Sequence, residues 1–264
     1  MASKGSLLII GGHEDKKHEA IILGEIAKHV TPEQHLVLAP IASQEPREMI
    51  DTYCKAFQAL GVLDIEIVDV RIRAEAFDKA NLQKLENAGV VFFTGGDQVR
   101  LTSQLSGTPL FQAVQKVYRR GGMIAGTSAG AAAMSEVMII AGRGDETLEV
   151  QDISMSPGLN FMPGMVIDSH FAERGRINRL ITAIAQNPKH LGLGIDENTA
   201  ILVNQGHFKV IGSGVVYVID AAGVSYSSLA VHTSVGAISI HDVRIHTLAQ
   251  GYQFSLTKRY PIKD

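Results

Sequence analysis

The pentapeptide Gly126-Thr127-Ser128-Ala129-Gly130 decides how this chain is interpreted, because it fits the pattern G-x-S-x-G. A short apolar run at residues 122–125 precedes it, and small residues at 129–134 follow it and can begin a helix. Strand, tight turn and helix in this order are typical of the nucleophile elbow of α/β hydrolytic enzymes. The turn presents a serine hydroxyl at a helix N-terminus, where free N–H groups can hold an oxyanion. We therefore expect Ser128 to be a nucleophile; a Gly-rich packing turn is the alternative.

Outward from the pentapeptide, short apolar runs alternate with segments of helical periodicity through the first two thirds of the chain. Most of these runs are continuously apolar, which indicates a parallel sheet covered by helices on both faces. Strands are predicted at residues 6–10, 35–39, 64–70 and 90–93. Helices are predicted at residues 16–30, 45–60, 81–87 and 109–120.

Three Gly-rich stretches follow predicted strands, namely Gly11-Gly12, Gly95-Gly96 and the pentapeptide. Ligand sites in open α/β sheets lie beyond the carboxyl ends of the strands. We therefore expect the three stretches to meet at one site. A nucleotide-binding site is a weaker hypothesis, because neither glycine pair completes a phosphate-binding fingerprint.

The last third of the chain has a different pattern. A helix predicted at residues 173–186 is followed, from Gly192 onward, by short β-type runs typical of antiparallel strands that complete or flank the main sheet. No internal repeat or Pro-rich linker interrupts the sequence, so a single domain over residues 1–264 is expected. The predicted strands are residues 200–203, 208–211, 215–219, 237–240 and 252–256.

The composition argues against several classes of function. Hydrophobic residues make up 45% of the 264 and charged residues 19%, as in an ordinary soluble globular protein. The net charge of −3 gives no basic footprint, so no nucleic-acid partner is expected. No membrane-spanning run or secretory signal is found, so no membrane partner and a cytoplasmic location are expected. The single cysteine, Cys54, excludes an internal disulfide, and its apolar neighbours indicate a packing role.

A serine hydroxyl needs a base near neutral pH, and the chain has ten histidines. His170 is the leading candidate, because it follows a strand-like run at residues 165–168 and so lies at a strand's carboxyl end, like Ser128. The histidines in or beside helices and turns are interpreted as surface residues, and they are His13, His18, His29, His35 and His190. Those of the β-rich last third suit either surface or core, and they are His207, His232, His241 and His246.

A carboxylate should complete the site by fixing the tautomer of the imidazole. Asp196 and Glu197 follow another strand-like run, in the segment Gly194-Ile195-Asp196-Glu197-Asn198-Thr199. An Asp-Glu-Asn turn between two β runs would have the same sequence. Spacing alone does not choose between the two acids.

Four further segments accompany the pentapeptide, and all five occur in the same order as in the cyanophycinase family, the serine peptidases that include aspartyl dipeptidase. The chain resembles this family over residues 6–220, which is most of its length. The four segments are Gly11-Gly12-His13-Glu14-Asp15-Lys16, Gly95-Gly96-Asp97-Gln98, residues 168–179, and residues 194–200.

The resemblance implies a three-layer, flavodoxin-like α/β fold with a mostly parallel sheet, related to class I glutamine amidotransferases. It also implies a Ser–His–Glu triad, in which Ser128 is the nucleophile, His170 the base and Glu197 the orienting carboxylate. Asp196 then becomes a residue of the turn or one that supports the site from behind the triad. No metal or organic cofactor is implied, and the family suggests a homodimer.

The implied oxyanion hole joins the backbone N–H of Ala129 to one from the loop of Gly95, Gly96 and Asp97, for which Gly96 is the expected donor. The implied reaction is the hydrolysis of cyanophycin by a serine exopeptidase, which releases β-Asp-Arg dipeptides through an acyl-enzyme. Cyanophycin is a poly-aspartate chain with arginine joined to each side-chain carboxylate. The alternatives are an aspartyl dipeptidase-like enzyme for small aspartyl or β-aspartyl peptides, and a non-catalytic binding protein.

Three arginines, Arg174, Arg176 and Arg179, closely follow the candidate base. Arg176 and Arg179 are three residues apart and share a helix face. Guanidinium groups match carboxylates with paired hydrogen bonds, so the cluster predicts an acidic peptide or polymer substrate; three solvated arginines are the alternative. The resemblance adds Gln98 and Asp168 as substrate-binding residues, with Asp168 either pairing a substrate arginine or bracing the site.

Two positions depart from the family pattern. The family carries Asp-Gln-His-Phe where this chain has Asp168-Ser169-His170-Phe171. A short hydroxyl therefore replaces an amide that can grip the substrate backbone, which affects affinity or the preferred peptide and leaves the triad intact. Ser169 is kept as a candidate substrate-binding residue. His13 stands where many relatives carry glycine.

Overall fold

Five parallel strands form the middle of the main sheet. The computed structural model describes residues 5–142, 153–230 and 238–262, and the elements named below lie in that part of the chain. The parallel strands are β1 (Leu7–Ile10), β2 (His35–Ala39), β3 (Ile65–Ile67), β4 (Ala88–Phe93) and β5 (Met123–Thr127). They lie side by side in the order β3-β2-β4-β5-β1, which brings the carboxyl ends of β1, β5 and β4 together.

Helices cover both faces of this sheet, because successive residues of a strand point to opposite sides. On one face Leu8 packs in a cluster with Ile22 and Phe57, and on the other Ile9 packs in a cluster with Val114. The result is a helix–sheet–helix sandwich of three layers. The helices of the described residues are α1 (Ile21–Ala27), α2 (Pro46–Ala59), α3 (Lys79–Gln83), α4 (Gln98–Leu105), α5 (Pro109–Arg119), α6 (Ala129–Ala132) and α7 (Ile177–Gln186). Short 3₁₀ turns add Arg73–Phe77 and Ser228–Ala230.

Antiparallel strands from the last third extend the main sheet beyond β1 to nine strands within the described residues. The extension consists of β10 (Thr199–Asn204), β11 (His207–Gly212), β16 (Gln253–Ser255) and β17 (Tyr260–Ile262). β10 pairs with β1, and β11, β16 and β17 follow in that order. The predicted α/β fold, with a mostly parallel core and extra antiparallel strands, is confirmed.

A second sheet contains the strands that precede His170 and Asp196, and the sequence did not indicate it. Its strands are β8 (Met165–Ser169), β9 (Leu191–Ile195), β12 (Val216–Asp220) and β15 (Arg244–Leu248), in the order β15-β12-β9-β8. β8 and β9 are parallel, so both end on the same side. Two small pairs complete the described strands: β6 (Val137–Ala141) with β7 (Ser154–Pro157), and β13 (Tyr226–Ser227) with β14 (Ile240–His241).

The two sheets meet at the carboxyl end of β1. The N–H of His170 donates to the carbonyl of Gly11 over 2.8 Å, and the N–H of Asn198 donates to the carbonyl of Gly12 over 2.8 Å. These bonds hold the ends of β8 and β9 against the end of β1. Residues of both sheets also share one hydrophobic cluster.

Two helices are shorter than predicted. The helix expected at residues 16–30 begins only at Ile21, because the Asp15 carboxylate accepts bonds from three backbone N–H groups, those of residues 17, 18 and 20. These bonds hold the preceding residues in a turn, and Ala20 is left-handed, with φ 45°. The helix expected at 173–186 begins at Ile177, because Gly175 is also left-handed, with φ 58°.

Other local predictions were wrong or displaced. Helix α4 was not predicted, although Asp97 caps it by accepting bonds from the N–H groups of Val99 and Arg100. Of the strand expected at 64–70, only Ile65–Ile67 (β3) forms a strand. The helix expected at 81–87 begins and ends earlier, at Lys79–Gln83 (α3). His190, expected at the surface, is 1% exposed. Of the strand expected at 237–240 only Ile240 is in a strand, β14; residues 238 and 239 are described but belong to no strand, and residue 237, like His232, lies outside the described residues.

None of the helices in the described part of the chain is both long enough and apolar enough to span a bilayer. The single domain over residues 1–264, the cytoplasmic location and the homodimer stay predictions.

Candidate active site

Ser128 occupies a strained turn between β5 and α6, with φ 53° and ψ −111°. Such a positive φ is uncommon for any residue other than glycine and is found mainly in turns and functional sites. Its N–H donates to the carbonyl of Ile10 over 3.0 Å, which ties the turn to the end of β1. The flanking glycines have no room for side chains: a Cβ on Gly130 would lie 2.5 Å from the Phe93 carbonyl oxygen, and one on Gly126 would lie 2.6 Å from the Gly130 carbonyl oxygen.

A chain of hydrogen bonds links Ser128, His170 and Glu197. The Ser128 Oγ lies 2.8 Å from His170 Nε2, and His170 Nδ1 lies 2.7 Å from Glu197 Oε1. An ionised carboxylate only accepts hydrogen bonds, so Nδ1 must carry a proton. In the neutral imidazole Nε2 is then an acceptor, aimed at the serine hydroxyl. The structure thus brings together the three residues predicted for the triad.

Burial controls how readily His170 takes up a proton. The residue is 4% exposed, and this burial lowers the pKa of the imidazole below its ordinary value. The hydrogen bond that His170 donates to Glu197 raises the pKa, whereas the nearby charge of Arg174 lowers it further. Burial opposes ionisation of Glu197, but its hydrogen bonds to His170 and His13 outweigh this, and its pKa is lowered. The pair is therefore a neutral imidazole facing a carboxylate near neutral pH.

Asp196 has a different task from Glu197. Its Oδ1 accepts from the N–H of Ala172 over 3.0 Å, and its Oδ2 accepts from the N–H of Val215 over 3.1 Å. The side chain is buried, and burial raises the pKa of the carboxyl. Asp196 thus ties together the loops that follow β8 and β9, while only Glu197 of the two acids bonds to the imidazole.

His13 also contacts the carboxylate of Glu197. The sequence had indicated only a surface residue at this position. Its side chain is 71% exposed, yet its Nδ1 lies 2.8 Å from Glu197 Oε2. Its ring meets that of His170 edge to face, with centroids 5.1 Å apart. The two carboxylate oxygens of Glu197 are thus each bonded to a different histidine.

A small polar cavity of about 140 Å³ opens beside Ser128. All six residues predicted to bind substrate line it: Gln98, Asp168, Ser169, Arg174, Arg176 and Arg179. Gln98 and five residues of the segment 168–179 therefore line one space next to the candidate nucleophile.

Asp168 is paired inside the protein. Its buried carboxylate accepts hydrogen bonds from Arg179, including Nε at 2.6 Å, and from Arg176 Nη1 at 3.2 Å. Burial lowers the pKa of Arg176 to about 10, so its guanidinium remains charged near neutral pH. Two arginines share one carboxylate, and exposed Arg174 adds a third positive charge at the cavity. Of the two interpretations of Asp168, the structure favours bracing.

The other two predicted residues of this cavity are fixed differently. Gln98 donates from Nε2 to the carbonyl of Ile139 over 2.8 Å, so part of its amide is already engaged. Ser169 is 5% exposed and lies directly before His170 at the end of β8. A longer side chain at this position would compete for the 140 Å³ of the cavity.

A wider cavity of about 500 Å³ also borders Ser128. His13, His170 and Arg174 line its edge, and Lys16 and Glu48 bring charges of both signs. Ser128, Gly96 and Arg174 border both cavities, so the candidate nucleophile lies where the two spaces meet.

A buried polar cluster supports the floor of the wider cavity. Glu14, 3% exposed, accepts from the Tyr53 hydroxyl, from Thr127 Oγ1 over 2.7 Å, and pairs with Lys16 Nζ over 3.1 Å. Burial, followed by the charge of Glu14, raises the pKa of Tyr53. Because Thr127 directly precedes Ser128, this cluster anchors the strand end that presents the serine.

The backbone predicted to form an oxyanion hole lies beside the serine. A Cβ on Gly95 would lie 3.5 Å from Ser128 Cβ, so the loop after β4 is in contact range of the elbow. Gly96 borders both cavities, and Ala129 is the first residue of α6. At Gly96 a Cβ would lie 2.2 Å from the Ala42 carbonyl oxygen, so only glycine allows this path of the loop.

The chain matches the family model of peptidase family S51 over residues 7–211. The chain belongs to this family. It is 36% identical over 264 residues to a cyanophycinase of Trichormus variabilis, covering 98% of this chain and 88% of the relative. It is 34% identical to a cyanophycinase of Geminocystis herdmanii, covering 98% and 96%. The resemblance inferred from the five motifs is confirmed, and the chain is a serine peptidase.

A solved peptidase structure supports the fold. The crystal structure of a peptidase from an acI-B1 Actinobacterium superposes with a TM-score of 0.73, covering 96% of this chain and 98% of that one. Its sequence identity is 19%, so the likeness concerns the fold alone.

Sequence reasoning missed some residues of this S51 site. Glu14, Asp15 and Lys16 were used only to recognise the family, and nothing had indicated that Glu14 bonds to Tyr53 and Thr127. A glutamate in a mostly polar run has no local sign of burial. A signal was available for Asp15, because aspartate side chains readily accept bonds from backbone N–H groups two or three residues further on and so favour a turn.

Proposed function

We propose that this S51 peptidase is a serine exopeptidase that hydrolyses cyanophycin to β-Asp-Arg dipeptides, with Ser128, His170 and Glu197 as its triad. The observation that carries the mechanism is the unbroken chain of hydrogen bonds, 2.8 Å from Ser128 to His170 and 2.7 Å from His170 to Glu197. The cyanophycinases to which the chain is 34–36% identical over almost its whole length support the substrate.

In the first half of the reaction, Ser128 Oγ attacks the carbonyl carbon of a backbone Asp–Asp amide and forms a new C–O bond. The hydroxyl proton passes to His170 Nε2, and Glu197 stabilises the resulting imidazolium. The backbone N–H groups of Ala129 and Gly96 would hold the oxyanion. The C–N bond then breaks, the imidazolium returns its proton to the leaving amine, and an acyl-enzyme remains.

In the second half, a water molecule attacks the acyl carbon. His170 Nε2 takes a proton from the water, and a second tetrahedral intermediate forms. Its collapse breaks the ester bond and returns the proton to Ser128 Oγ. The products are a carboxylic acid and the free enzyme, so the proton balance closes without any metal or organic cofactor.

The two cavities provide complementary subsites in this proposal. The arginine-lined cavity suits a substrate carboxylate, because Arg174, Arg176 and Arg179 carry three positive charges against the single carboxylate of Asp168. The wider cavity would take the remainder of the polymer. Gln98 and Ser169 would contact the substrate backbone between the charged groups.

The deciding experiment compares cyanophycin hydrolysis by the wild type, Ser128→Ala and Ser103→Ala, with release of β-Asp-Arg as the readout. Ser103 is an exposed serine of α4, so its variant is a control for loss of a hydroxyl elsewhere. Loss of a catalytic nucleophile is expected to lower the rate by about 10⁶-fold, while the control keeps full activity.

The other outcomes separate the parts of the proposal. Release of β-Asp-Arg by Ser128→Ala at the wild-type rate would refute the triad. A wild type that is inert on cyanophycin but hydrolyses small β-aspartyl dipeptides would favour the aspartyl dipeptidase alternative, with Ser169 the first residue to exchange. A wild type that neither hydrolyses these substrates nor reacts with a fluorophosphonate would favour a binding protein.

A further inference from the structure

Three nitrogen and oxygen ligands of the kind that bind transition metals meet at the edge of the wider cavity. Suitable ligand atoms of His13, His170 and Glu197 all lie within 4.8 Å of one another. We propose that these three side chains bind Zn²⁺, and that zinc thereby inhibits the peptidase reversibly. The inhibition rests on the proposed function, whereas the binding does not.

The donor set and its spacing suit zinc. Two imidazoles and one carboxylate form a common set of protein ligands in catalytic zinc sites, where a water completes the tetrahedron. Zinc lies about 2.0–2.2 Å from such ligands, which places the ligand atoms roughly 3.4 Å apart. Here the contacts to Glu197 are 2.7 Å from His170 and 2.8 Å from His13, so a slight separation of the side chains makes room for an ion.

Accessibility and freedom of movement favour the same site. The side chain of His13 is 71% exposed and that of Glu197 is 24% exposed, whereas that of His170 is 5% exposed. Both histidines border the wider cavity, through which an ion can enter. One ligand is therefore fixed in the protein, one is at the surface, and one lies between them.

The charged groups around this site favour the binding of a cation. Glu197 contributes one negative charge, and the Glu173 carboxylate accepts from the Glu197 N–H over 3.1 Å and adds a second. Arg174 is the opposing charge close enough to affect His170. With neutral imidazoles, two carboxylates face one guanidinium, so a divalent ion reduces an excess of negative charge.

Zinc at this site would disable the base through its tautomer. His170 bonds to Glu197 through Nδ1, the nitrogen that the ion would occupy. A neutral imidazole that binds metal through Nδ1 carries its proton on Nε2. That proton would face Ser128 Oγ, 2.8 Å away, so the ring could no longer accept the serine proton. The ion would also withdraw Glu197 from its orienting role.

The binding test uses the full chain with Ser128→Ala, so that hydrolysis plays no part. Calorimetry with Zn²⁺ gives affinity and stoichiometry, and the visible spectrum with Co²⁺ reports tetrahedral nitrogen and oxygen ligands. His13→Ala and His13→Gln are then added to this background; glutamine keeps a hydrogen-bond donor for Glu197 but is a poor zinc ligand. His18→Ala is the control, because His18 is exposed on the same loop.

We expect one zinc ion per chain, with both His13 variants weakened. Loss of an outer-shell partner costs about 10–100-fold in affinity, so loss of a ligand should cost roughly 100-fold or more. His18→Ala should bind as tightly as its parent. Equal affinity in the His13 variants, or no stoichiometric binding, would overturn the site.

The inhibition test measures cyanophycin hydrolysis against free Zn²⁺ for the wild type, His13→Gln and His18→Ala, each relative to its own metal-free rate. The wild type and His18→Ala should be inhibited at the concentrations at which zinc binds, and a chelator should restore their activity. His13→Gln should need roughly 100-fold more zinc. Stoichiometric zinc binding without loss of rate would refute the inhibition but not the zinc site. A wild type that does not hydrolyse cyanophycin in the absence of metal would refute the proposed function. The calorimetric result would then still show whether the zinc site exists.

Discussion

Gly12 and His170 are packed so closely that the imidazole fills the space in which a side chain on Gly12 would begin. A Cβ at Gly12 would lie 2.3 Å from His170 Cε1 and 2.5 Å from Nε2. Gly12 also has φ 108°, a conformation that favours glycine. The Gly11-Gly12 pair at the end of β1 is therefore in direct contact with the candidate base and fixes its position.

Gly12→Ala is expected to abolish most activity by displacing His170 from Ser128. A misplacement of about 1 Å at a reacting group can cost about 10²-fold in rate, and kcat for cyanophycin should fall by at least that factor. Gly61→Ala is the matched control, because Gly61 also has a positive φ, 87°, but a Cβ there would meet no atom within 4 Å. Kinetics and thermal unfolding of both variants check this; equal loss of kcat in the two would show that backbone strain, and not the contact with His170, is responsible.

Glu197→Gln and Asp196→Asn should affect different properties: the first should lower kcat, and the second should lower the free energy of unfolding. Glu197→Gln removes the carboxylate that orients His170, and kcat should fall by about 10³–10⁴-fold with little loss of stability. Asp196→Asn leaves one of its two backbone partners without an acceptor, and should cost about 1–3 kcal/mol in the free energy of unfolding with a smaller change in kcat. Urea unfolding and kcat measurements test both; the reverse pattern would exchange their roles.

Asp168→Asn should destabilise the protein, since Asp168 is the counter-charge of Arg176 and Arg179. Breaking a buried ion pair costs about 3–5 kcal/mol, because it leaves uncompensated charge in the interior. Asp51→Asn, on the exposed side of α2, should leave the free energy of unfolding unchanged. Denaturant titration is the measurement, and a stable Asp168→Asn variant with only a raised KM would instead indicate a direct role in binding the substrate.

Arg174→Ala should weaken substrate binding without weakening the fold. Arg174 is exposed and borders both cavities, so we expect it to pair with a substrate carboxylate. A hydrogen bond to a charged group contributes about 1.5–3 kcal/mol, so KM should rise roughly 10–100-fold while the melting temperature is unchanged. Arg119→Ala, at the exposed end of α5, is the control. An unchanged KM would mean that Arg174 is a solvated surface charge.

Activity should fall on acidification at a pH below the ordinary pKa of histidine, about 6.5. The base must be unprotonated to accept the serine proton, so activity is present above the pKa of His170 and is lost as the pH falls through it. Burial lowers this pKa, and Arg174 lowers it further, so the acid limb of kcat/KM should move to higher pH in Arg174→Ala. A pH–rate profile of both enzymes tests this, and an acid limb that moves down in the variant would contradict it.

The alternation of strands and helices could be predicted from the sequence because it depends on residues close together in the chain. The parallel strands are continuous apolar runs, and the elbow is a five-residue pattern in which a Cβ on Gly126 would lie 2.6 Å from the carbonyl oxygen of Gly130. Helix ends were less predictable, since α1 begins late through the bonds of Asp15 to three N–H groups. Such bonds from a side chain to the backbone compete with the helical hydrogen bonds of the same residues, and the periodicity of apolar residues does not show which of the two forms.

The sequence by itself determined the fold class, the tight turn at Ser128 and, through family motifs, three candidate triad residues. Only the tertiary structure decided that Asp168 pairs with arginines, that Glu14 is buried, and that His13 shares Glu197 with His170. The reason is separation along the chain: His13 and Glu197 are 184 residues apart, and Glu14 and Thr127 are 113 apart. Contacts over such distances depend on how the second sheet docks against the end of β1, and no local pattern of residue types encodes that arrangement.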